Sequence, residues 1–467
     1  MLNAIVQFSA HATPKEKPSI LISKKLIQAM NSGQYDAMQQ FARQHIARDT
    51  LKRFGLEMYS NYLAAEAHFH GEFELISSEI NSYENGLINS YHEVISKNTL
   101  MQYRMELSIT DTLPHKLTRI RLRAQEQKSL FDNQQSDAIR IKKLSQYIDF
   151  VGEKGVFSGV VLLAKDDTVI FQKAIGMASK RFNVKNTLDT RFNLGSMNKM
   201  FTSVAILRMV EAGKLNLTTK LVDIFNLDTS NLELKAIEIQ HLLSHTSGIA
   251  QLQCDKGEVF TVKDKTSCLA QLAKIKTHFK SGSQYRYSND GMFVLGMVLE
   301  QLTGKPYDQV IKQQVFDIAG MEHSENLDMQ FPVSDAALGY AYNGKHNRWR
   351  NNLFIHEQKG GPAGGGYSTA IDLLKFSLAL KNNQLLSEPM TQLAITPKVA
   401  FGATNYGFGF IDWQRDNKPV IGHNGAFVGV SSQLEMHLAS DLTVIVLSNH
   451  SFGADPILAQ VHSLFGI

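Results

Sequence analysis

A serine and a lysine three residues apart, at the start of a helical apolar pattern, constrain the fold of this chain most strongly. Ser196 and Lys199 lie in the stretch Asn193–Phe201. Residues i and i+3 share one face of a helix, so the hydroxyl and the amine can meet. A serine hydroxyl needs an adjacent base to become a nucleophile, and a lysine kept neutral by burial can be that base. The pattern therefore predicts a nucleophilic serine on the first turn of a buried helix, where backbone N–H groups favour developing negative charge.

The residues around this pair predict that the helix is buried on most sides and ends near Gly213. Its apolar positions at helical spacing are Met197, Met200, Phe201, Val204, Leu207 and Val210. Two interpretations of the pair stay open at this point. It is either a catalytic pair or a surface serine and lysine at the end of a core helix, because a two-residue pattern recurs by chance.

The length and charge of the chain set the broad class of protein. A chain of 467 residues can form two or three domains with their own cores. A net charge of +4 without a basic stripe of interleaved aromatic residues argues against nucleic-acid binding. No uninterrupted apolar run approaches the length of a membrane-spanning helix.

The N-terminus and the cysteines bear on the cellular compartment. Residues 1–18 are interpreted as a leader, because a mildly apolar start precedes the small-residue pattern Ala10-His11-Ala12. We expect a periplasmic or secreted protein if a signal peptide precedes or includes residues 1–12, and a cytoplasmic one otherwise. Cys254 and Cys268 cannot form a four-thiolate zinc site. They form either one disulfide or two inert thiols, and we expect inert thiols.

The sequence divides into a small first domain, a linker and a large second domain. Helical spacing over residues 19–70, with one helix expected at Leu51–Ala65, and alternation from Phe73 to Arg123 predict a small α+β domain over 19–124. The polar, glutamine-rich stretch 125–136 is interpreted as a linker. The second domain, 137–467, begins with a predicted helix from Asp137.

Strands are predicted at both ends of the second domain and helices in its middle. The expected strands are Phe157–Ala164, Thr168–Ile175, Tyr406–Trp413, Lys418–Gly422, Gly425–His437 and Leu442–Asn449. Asp455 and Pro456 are expected to cap and start a final helix.

Two histidine pairs and a glycine-rich run invite ligand-binding interpretations that the spacing does not support. His68 and His70 would share a face of a strand, but no metal-ligand pattern surrounds them. His241 and His245 resemble half of a metalloprotease motif, but Leu242 stands where its glutamate belongs. The run 360–366 lacks the Gly-Lys-Ser/Thr of a phosphate loop. We predict instead a tight loop that approaches another backbone closely, followed by a helix that Ser368 or Thr369 caps.

Two further motifs follow the serine and lysine in the second domain. Tyr287-Ser288-Asn289 lies on a polar loop ahead of the apolar helix Met292–Leu302, a position that can aim side chains into a cleft. His423-Asn424-Gly425 lies just before or at the start of a predicted strand. With these three motifs in order, the chain from Asp137 onward resembles the serine β-lactamase and penicillin-binding protein superfamily. It is most similar to the branch of class C β-lactamases, DD-peptidases and esterases.

The resemblance implies a fold and a set of roles. The fold is an antiparallel sheet flanked by the terminal helices, with a helical region inserted and the active site between them. Ser196 would be the acylated nucleophile, and Lys199 and Tyr287 would share its proton, although which of them is the base stays open. Asn289 would orient the substrate. The backbone N–H groups of Ser196 and Ala426 would form the oxyanion hole.

The third motif departs from many members of the superfamily, which carry Lys-Thr-Gly where this chain has His423, Asn424 and Gly425, here assigned to substrate binding. A histidine of ordinary pKa, about 6.5, is mostly neutral at pH 7 and provides no fixed charge for a substrate carboxylate. We therefore expect a serine hydrolase acting on an ester or amide, more an esterase or D-amino-acid peptidase than a strong β-lactamase.

The alternative is a non-catalytic penicillin-binding or sensor protein that keeps the fold. The chemistry needs no metal and no organic cofactor, and the expected partner is a small-molecule or short-peptide substrate. The rival α/β-hydrolase fold is disfavoured, because Leu194 stands where the Gly-x-Ser-x-Gly turn needs its first glycine.

Overall fold

A computed structural model describes residues 17–125, 132, 134–227, 230–252, 254, 265–331, 333–355, 359–402, 404–415 and 417–467. The predicted leader 1–18 and linker 125–136 fall largely outside these residues. The chain divides into two compact units: the first runs up to residue 127 and takes in 342–348, and the second comprises 128–341 and 349–467. The domain limits 19–124 and 137–467 remain a proposal, to which this division adds the separate segment 342–348.

The first unit is the small α+β domain expected from its periodicity. Its helices and strands are α1 Pro18–Asn31, α2 Tyr35–His45, α3 Arg48–Phe54, α4 Leu56–His70, β1 Phe73–Glu84, β2 Leu87–Ser96, β3 Gln102–Thr110 and β4 Leu117–Ala124. The strands form one antiparallel sheet in the order β1-β2-β3-β4. Strands β2 and β3 alternate buried and partly exposed residues, and α1 packs against this sheet.

One expectation for the first unit was wrong. The helix expected at Leu51–Ala65 is two helices, α3 and α4, because Gly55 adopts a φ of +79° between them. His68 and His70 lie on α4, within the span whose spacing indicated helices. His68 stacks on Tyr342 with ring centroids 3.6 Å apart, and His70 Nε2 lies 3.2 Å from Glu66 Oε2.

The second unit contains the remaining elements. Its helices are α5 Asp137–Glu153, α6 Asn198–Glu211, α7 Leu221–Phe225, α8 Leu232–Lys235, α9 Ile239–Leu243, α10 Lys265–Leu272, α11 Asn289–Thr303, α12 Tyr307–Ile311, α13 Asp317–Ala319, α14 Ala370–Lys381, α15 Glu388–Ile395 and α16 Ala454–Phe465. Its strands are β5 Gly159–Lys165, β6 Thr168–Ile175, β7 Met177–Ser179, β8 Val184–Lys185, β9 Phe192–Asn193, β10 Tyr340–Asn343, β11 Arg348–Asn351, β12 Tyr367–Ser368, β13 Val399–Phe401, β14 Thr404–Tyr406, β15 Ile411–Asp412, β16 Val420–Phe427, β17 Val430–His437 and β18 Leu442–Ser448. The hairpin β10–β11 contributes its tip to the first unit.

An eight-stranded sheet organises the second unit. The order is β13-β14-β15-β16-β17-β18-β5-β6, so β5 and β6 from the start of the unit pair beside β18 from its end. Strand β18 is buried throughout, which is expected of a strand covered on both faces. Helices α5 and α16 pack on one face, and α14 packs with the helical region on the other. The predicted antiparallel sheet between terminal helices and a helical region is confirmed.

The third motif lies inside a strand, not at the break that the sequence predicted. Strand β16 runs without interruption from Val420 to Phe427, and Asn424 and Gly425 pair with Gln433 and Ser432 of β17. Asn and Gly are poor strand formers, and the sequence predicted a break here between the strands Lys418–Gly422 and Gly425–His437. Here the pairing with β17 overrides this local preference.

The final helix and the cysteines also differ from expectation. Asp455 lies in the first turn of α16 rather than at its cap, and the N–H of Ala454 is bound by the Ser431 hydroxyl at 3.1 Å. Cys254 and Cys268 form a disulfide, with their Cα atoms 4.8 Å apart. The expectation of two inert thiols is wrong, because their sulfur atoms are bonded to each other. Among the described residues, no helix has the length and apolar character needed to cross a membrane.

A buried histidine in the first unit should make stability depend on pH. His92 is fully buried between the hydroxyls of Ser78 (2.8 Å) and Ser90 (2.9 Å), and burial lowers its pKa to about 4. The unfolded chain, with an ordinary histidine pKa, then binds more protons between pH 6.5 and 4. We expect the free energy of unfolding to fall over this interval as pH decreases, by up to about 3 kcal/mol at about 1.4 kcal/mol per unit of pKa.

The measurement is urea denaturation at pH 7.5 and pH 4.5, followed by circular dichroism. His92→Gln should lose less stability between the two pH values than the wild type. His346→Gln, at an exposed position, is the control and should match the wild type. Equal losses in wild type and His92→Gln would contradict the prediction.

Candidate active site

Ser196 lies on a short 3-10 turn, Gly195–Met197, that leads directly into helix α6. The turn begins at Gly195, whose φ of +52° lies in the left-handed region that glycine tolerates best. Ser196 is partly exposed, whereas Lys199 is completely buried. The expected arrangement of a serine at the start of a buried helix is present, with a tighter first turn than an α-helix.

Three backbone segments meet at Ser196, and glycines allow them to do so. A Cβ atom on Gly425 would lie 1.9 Å from the carbonyl oxygen of Leu194 and 3.0 Å from the Ser196 nitrogen. A Cβ atom on Gly195 would lie 3.1 Å from the Ala426 nitrogen. A Cβ atom on Gly364 would lie 3.0 Å from the Gly195 oxygen. The serine turn, strand β16 and the glycine-rich loop are therefore in direct backbone contact.

The glycine-rich loop 360–366 holds the serine turn from one side. Leu194 N donates to the Gly366 oxygen at 2.7 Å, and Gly365 N donates to the Gly195 oxygen at 3.1 Å. Lys199 Nζ donates to the Ala363 oxygen at 2.5 Å. The loop thus approaches another backbone, as the sequence predicted, and its carbonyl groups face a lysine rather than a phosphate. Thr369, and not Ser368, caps the next helix, because its side chain accepts from the backbone nitrogen of Asp372.

Tyr287 completes the group around Ser196. It is 40% exposed, yet burial around its hydroxyl raises its pKa to about 12, and a hydrogen bond with the Ser196 side chain works against this rise. Lys199 Nζ lies 4.7 Å from the centroid of the Tyr287 ring. Tyr287 is therefore a neutral phenol at pH 7, placed between the partly exposed serine and the buried lysine.

The other predicted residues lie at the start of α11 and within β16. Asn289 is exposed and is the first residue of α11, whose cap is Ser288 through a 3.0 Å hydrogen bond from Gly291 N. Asn424 and Ala426 are exposed on β16, while Gly425 between them is buried. The structure brings Ser196, Lys199 and Tyr287 together with the backbone of Gly425 and Ala426.

His423 is buried and faces inward, and two residues that the sequence analysis did not assign to the site accompany it. Its Nε2 lies 3.2 Å from the Tyr406 hydroxyl, which lies 3.1 Å from His245 Nε2. Burial and the charge of Lys199 lower the pKa of His423 to about 3 and hold that of His245 well below its usual range. Burial raises the pKa of Tyr406 well above its usual range. All three side chains are therefore neutral at pH 7.

The sequence offered one signal for His245 and little for Tyr406. His245 stood out only as a partner for His241, but the two rings serve different elements. His241 Nδ1 accepts from the backbone of Glu238 at 3.1 Å and so caps its own helix. Tyr406 had no local pattern, because its place at the site follows from the pairing of β14 with β15 and of β15 with β16.

One cluster among the described residues has the donor types of a metal site, on the sheet face that α16 covers. Glu435 Oε2 accepts from His437 Nε2 at 3.0 Å and from His462 Nε2 at 2.7 Å. Its other oxygen accepts from Gln433 Nε2 at 2.9 Å and lies 3.6 Å from Arg415. Both oxygens of the Glu435 carboxylate therefore have hydrogen-bond partners within the protein. The positive charge of the Arg415 guanidinium would repel a metal ion at this position.

Comparisons with known proteins match most of the second unit. The family model described as Beta-lactamase matches residues 141–462. The chain is 25% identical to penicillin-binding protein 4* of Bacillus subtilis over 351 residues, covering 70% of this chain and 76% of that protein. It is 25% identical over 317 residues to the teichoic acid D-alanine hydrolase of Staphylococcus aureus, covering 66% and 73%. The crystal structure of a penicillin-binding protein from Bacillus halodurans superimposes with a TM-score of 0.61 at 28% identity, covering 70% of this chain and 99% of that one.

The crowded backbone at Ser196 makes a direct prediction for Gly425→Ala. The added methyl group would overlap the carbonyl oxygen of Leu194, so β16 and the serine turn must separate. We expect a loss of about 1–3 kcal/mol in stability and a fall in kcat/KM of roughly 100-fold or more, because a displaced oxyanion donor costs about that much.

The matched control is Gly361→Ala in the glycine-rich loop, where an added Cβ meets no atom within 4 Å. It should remain within about threefold of wild type, since it displaces nothing. Thermal unfolding and ester hydrolysis measure both variants. If Gly425→Ala keeps wild-type activity, direct backbone contact at the site is wrong.

Proposed function

As a member of the Beta-lactamase family, whose model spans residues 141–462, the chain is a serine hydrolase, and we propose that Ser196 is the residue acylated in its reaction. The observation that carries this proposal is that Ser196 lies on the turn leading into the fully buried Lys199, whose Nζ lies 4.7 Å from the centroid of the Tyr287 ring. A hydroxyl nucleophile with a proton acceptor in hydrogen-bond reach is the arrangement that covalent catalysis requires.

The proton of Ser196 leaves through the pair of Lys199 and Tyr287. Since the pKa of Tyr287 is raised to about 12, no phenolate stands ready at neutral pH. Tyr287 then takes up the serine proton as it passes its own proton to the leaving group, so the bond from Ser196 to the acyl carbon forms while the bond to the protonated leaving group breaks. Lys199 donates to the Ala363 carbonyl. Its Nζ lies 4.7 Å from the centroid of the Tyr287 ring, beside the proton transfer between Ser196 and Tyr287.

The carbonyl oxygen of the substrate would bind between the backbone N–H groups of Ser196 and Ala426. The close approach of Gly195 and Gly425 supports this assignment, because a Cβ atom on Gly425 would lie 3.0 Å from the Ser196 nitrogen and one on Gly195 would lie 3.1 Å from the Ala426 nitrogen. Donors fixed in this way stabilise the oxyanion without reorganisation. Asn289 and Asn424, which are both exposed, are proposed to orient the rest of the substrate.

The proposed substrate is an ester or amide of a small acyl group or a D-amino acid. His423 is neutral because burial and Lys199 lower its pKa to about 3, so the third motif offers no positive charge for a carboxylate. The name of one relative, a teichoic acid D-alanine hydrolase, adds support for a D-aminoacyl ester. We further propose export to an oxidising compartment, supported by the disulfide Cys254–Cys268. In protein isolated from its native cells, a thiol reagent should label both cysteines only after reduction, and labelling beforehand would count against export.

The acyl-enzyme is tested with p-nitrophenyl acetate and Ser196→Ala. The wild type should turn over and show a mass increase of one acyl group on the peptide containing Ser196. Ser196→Ala should lose at least about 1,000-fold in kcat, as losses of a covalent nucleophile do, while keeping its thermal unfolding temperature. Ser283→Ala, which changes an exposed loop serine, is the matched control and should behave as wild type.

The same preparation separates the remaining possibilities. Faster release from D-alanine p-nitroanilide than from its L-enantiomer would support the D-amino-acid substrate. A stable penicillin adduct without turnover of any ester would instead identify a penicillin-binding sensor. Equal activity of wild type and Ser196→Ala would show that the nucleophile lies elsewhere.

A further inference from the structure

A continuous series of four hydrogen bonds connects the loop that carries Tyr287 to the third motif, from Ser288 N to the Asn424 oxygen. Ser288 N lies 3.3 Å from His245 Nδ1, and His245 Nε2 lies 3.1 Å from the Tyr406 oxygen. That oxygen lies 3.2 Å from His423 Nε2, and His423 Nδ1 lies 2.6 Å from the Asn424 oxygen. The side chains of His245, Tyr406 and His423, which make these hydrogen bonds, are each at most 1% exposed.

The two ends of this series fix the direction of every hydrogen bond. A backbone N–H can only donate, so His245 Nδ1 accepts from Ser288 and its proton is on Nε2. A backbone carbonyl can only accept, so His423 carries its proton on Nδ1 and accepts at Nε2. The Tyr406 hydroxyl then accepts from His245 and donates to His423. One assignment of protons satisfies all four bonds, and it needs both histidines neutral.

We propose that Tyr406 is a positioning residue that links His245 and His423 into one proton-ordered unit and thereby holds the Tyr287 loop and strand β16 in register. The proposal rests on the proposed function for its catalytic consequence and on geometry alone for the hydrogen-bond order. It also revises the part expected of His423. Both ring nitrogens of His423 are engaged within the protein, so it positions β16 rather than contacting substrate.

His245 is suited to hold Tyr287 because it binds the residues on either side of it. Its carbonyl oxygen accepts from Arg286 N at 2.9 Å, and its ring accepts from Ser288 N. The ring also lies 4.5 Å from the Tyr287 ring, centroid to centroid. His245 adopts a φ of +57°, an unusual value for a histidine. A strained backbone that persists in a buried site is over-determined by its surroundings, here by these three contacts.

Protonation of either histidine would break the order. A proton on His245 Nδ1 would face the Ser288 N–H, and a proton on His423 Nε2 would face the Tyr406 hydroxyl proton. The charged group that acts on both rings is Lys199, and the neighbouring titratable phenols are Tyr285 and Tyr287. A cation beside both rings and little access to water favour the neutral forms, so the unit should keep one proton arrangement over the working pH range.

The test is ¹⁵N NMR of the full chain labelled in its histidine rings, with His245→Gln and His423→Gln used for assignment. The wild type should show two histidines that do not titrate between pH 5 and 8, one protonated at Nε2 (His245) and one at Nδ1 (His423). The opposite tautomers, or a titration near pH 6.5 for either ring, would overturn the proposal. This measurement requires no substrate, so it stands or fails separately from hydrolase activity.

Tyr406→Phe removes the central hydroxyl and keeps the ring. We expect the two tautomer signals to lose their defined pattern or begin to titrate, and kcat to fall roughly 10- to 100-fold with a smaller change in KM, because small misplacement of catalytic groups costs up to about that much. Tyr285→Phe is the matched control, since its ring lies 6.1 Å from that of Tyr406 but outside the series of four bonds. Unchanged tautomers and kcat in Tyr406→Phe would contradict the proposal. If Tyr406→Phe does not fold, the wild-type tautomers alone decide.

Discussion

The structure of the second unit depends on the contact of three backbones at Ser196, where side chains are excluded. A methyl group at Gly425 would meet the oxygen of Leu194, and one at Gly364 would meet that of Gly195. Interiors are packed so closely that such contacts allow one arrangement and tolerate little change. Strand β16, the serine turn and the glycine-rich loop are therefore fixed relative to one another. The side chains that they carry are positioned with the same precision.

Around this contact the protein keeps its buried groups almost free of charge. Lys199 is fully buried with a backbone carbonyl as partner, and the nearby rings of His245, Tyr406 and His423 are all neutral. An uncompensated buried charge is costly, and a second cation close to Lys199 would raise that cost. This explains why the histidine of the third motif remains uncharged. A site with a lysine in that place would offer a positive charge to a substrate carboxylate, whereas this site does not. An ester or amide without an obligatory carboxylate suits such a site.

Local patterns were reliable where one element decides its own structure. The helical spacing after Lys199 predicted α6, the alternation from Leu117 predicted β4, and the apolar run from Met292 predicted the body of α11, which begins earlier, at Asn289. They failed where a distant partner decides. His423 and Asn424 fell between two predicted strands, but the pairing with β17 makes them part of one continuous strand. The N–H of Ala454 is bound by the hydroxyl of Ser431 on β17. The spacing of the two cysteines likewise did not decide whether they pair, and in the structure they form a disulfide.

The sequence by itself determined that the serine and lysine share one helical turn, because residue spacing along a helix fixes which side chains share a face. It also determined the order of the three motifs, whose resemblance to a known superfamily implied the class of fold. It could not place Tyr406 beside His423 or separate His245 from His241, since those relations depend on strand pairing and on loops that return from far along the chain. Nor could it decide the protonation of His423, whose pKa follows from burial and from Lys199. Only the tertiary structure supplies the low-dielectric surroundings and the fixed donors and acceptors that make these side chains one unit.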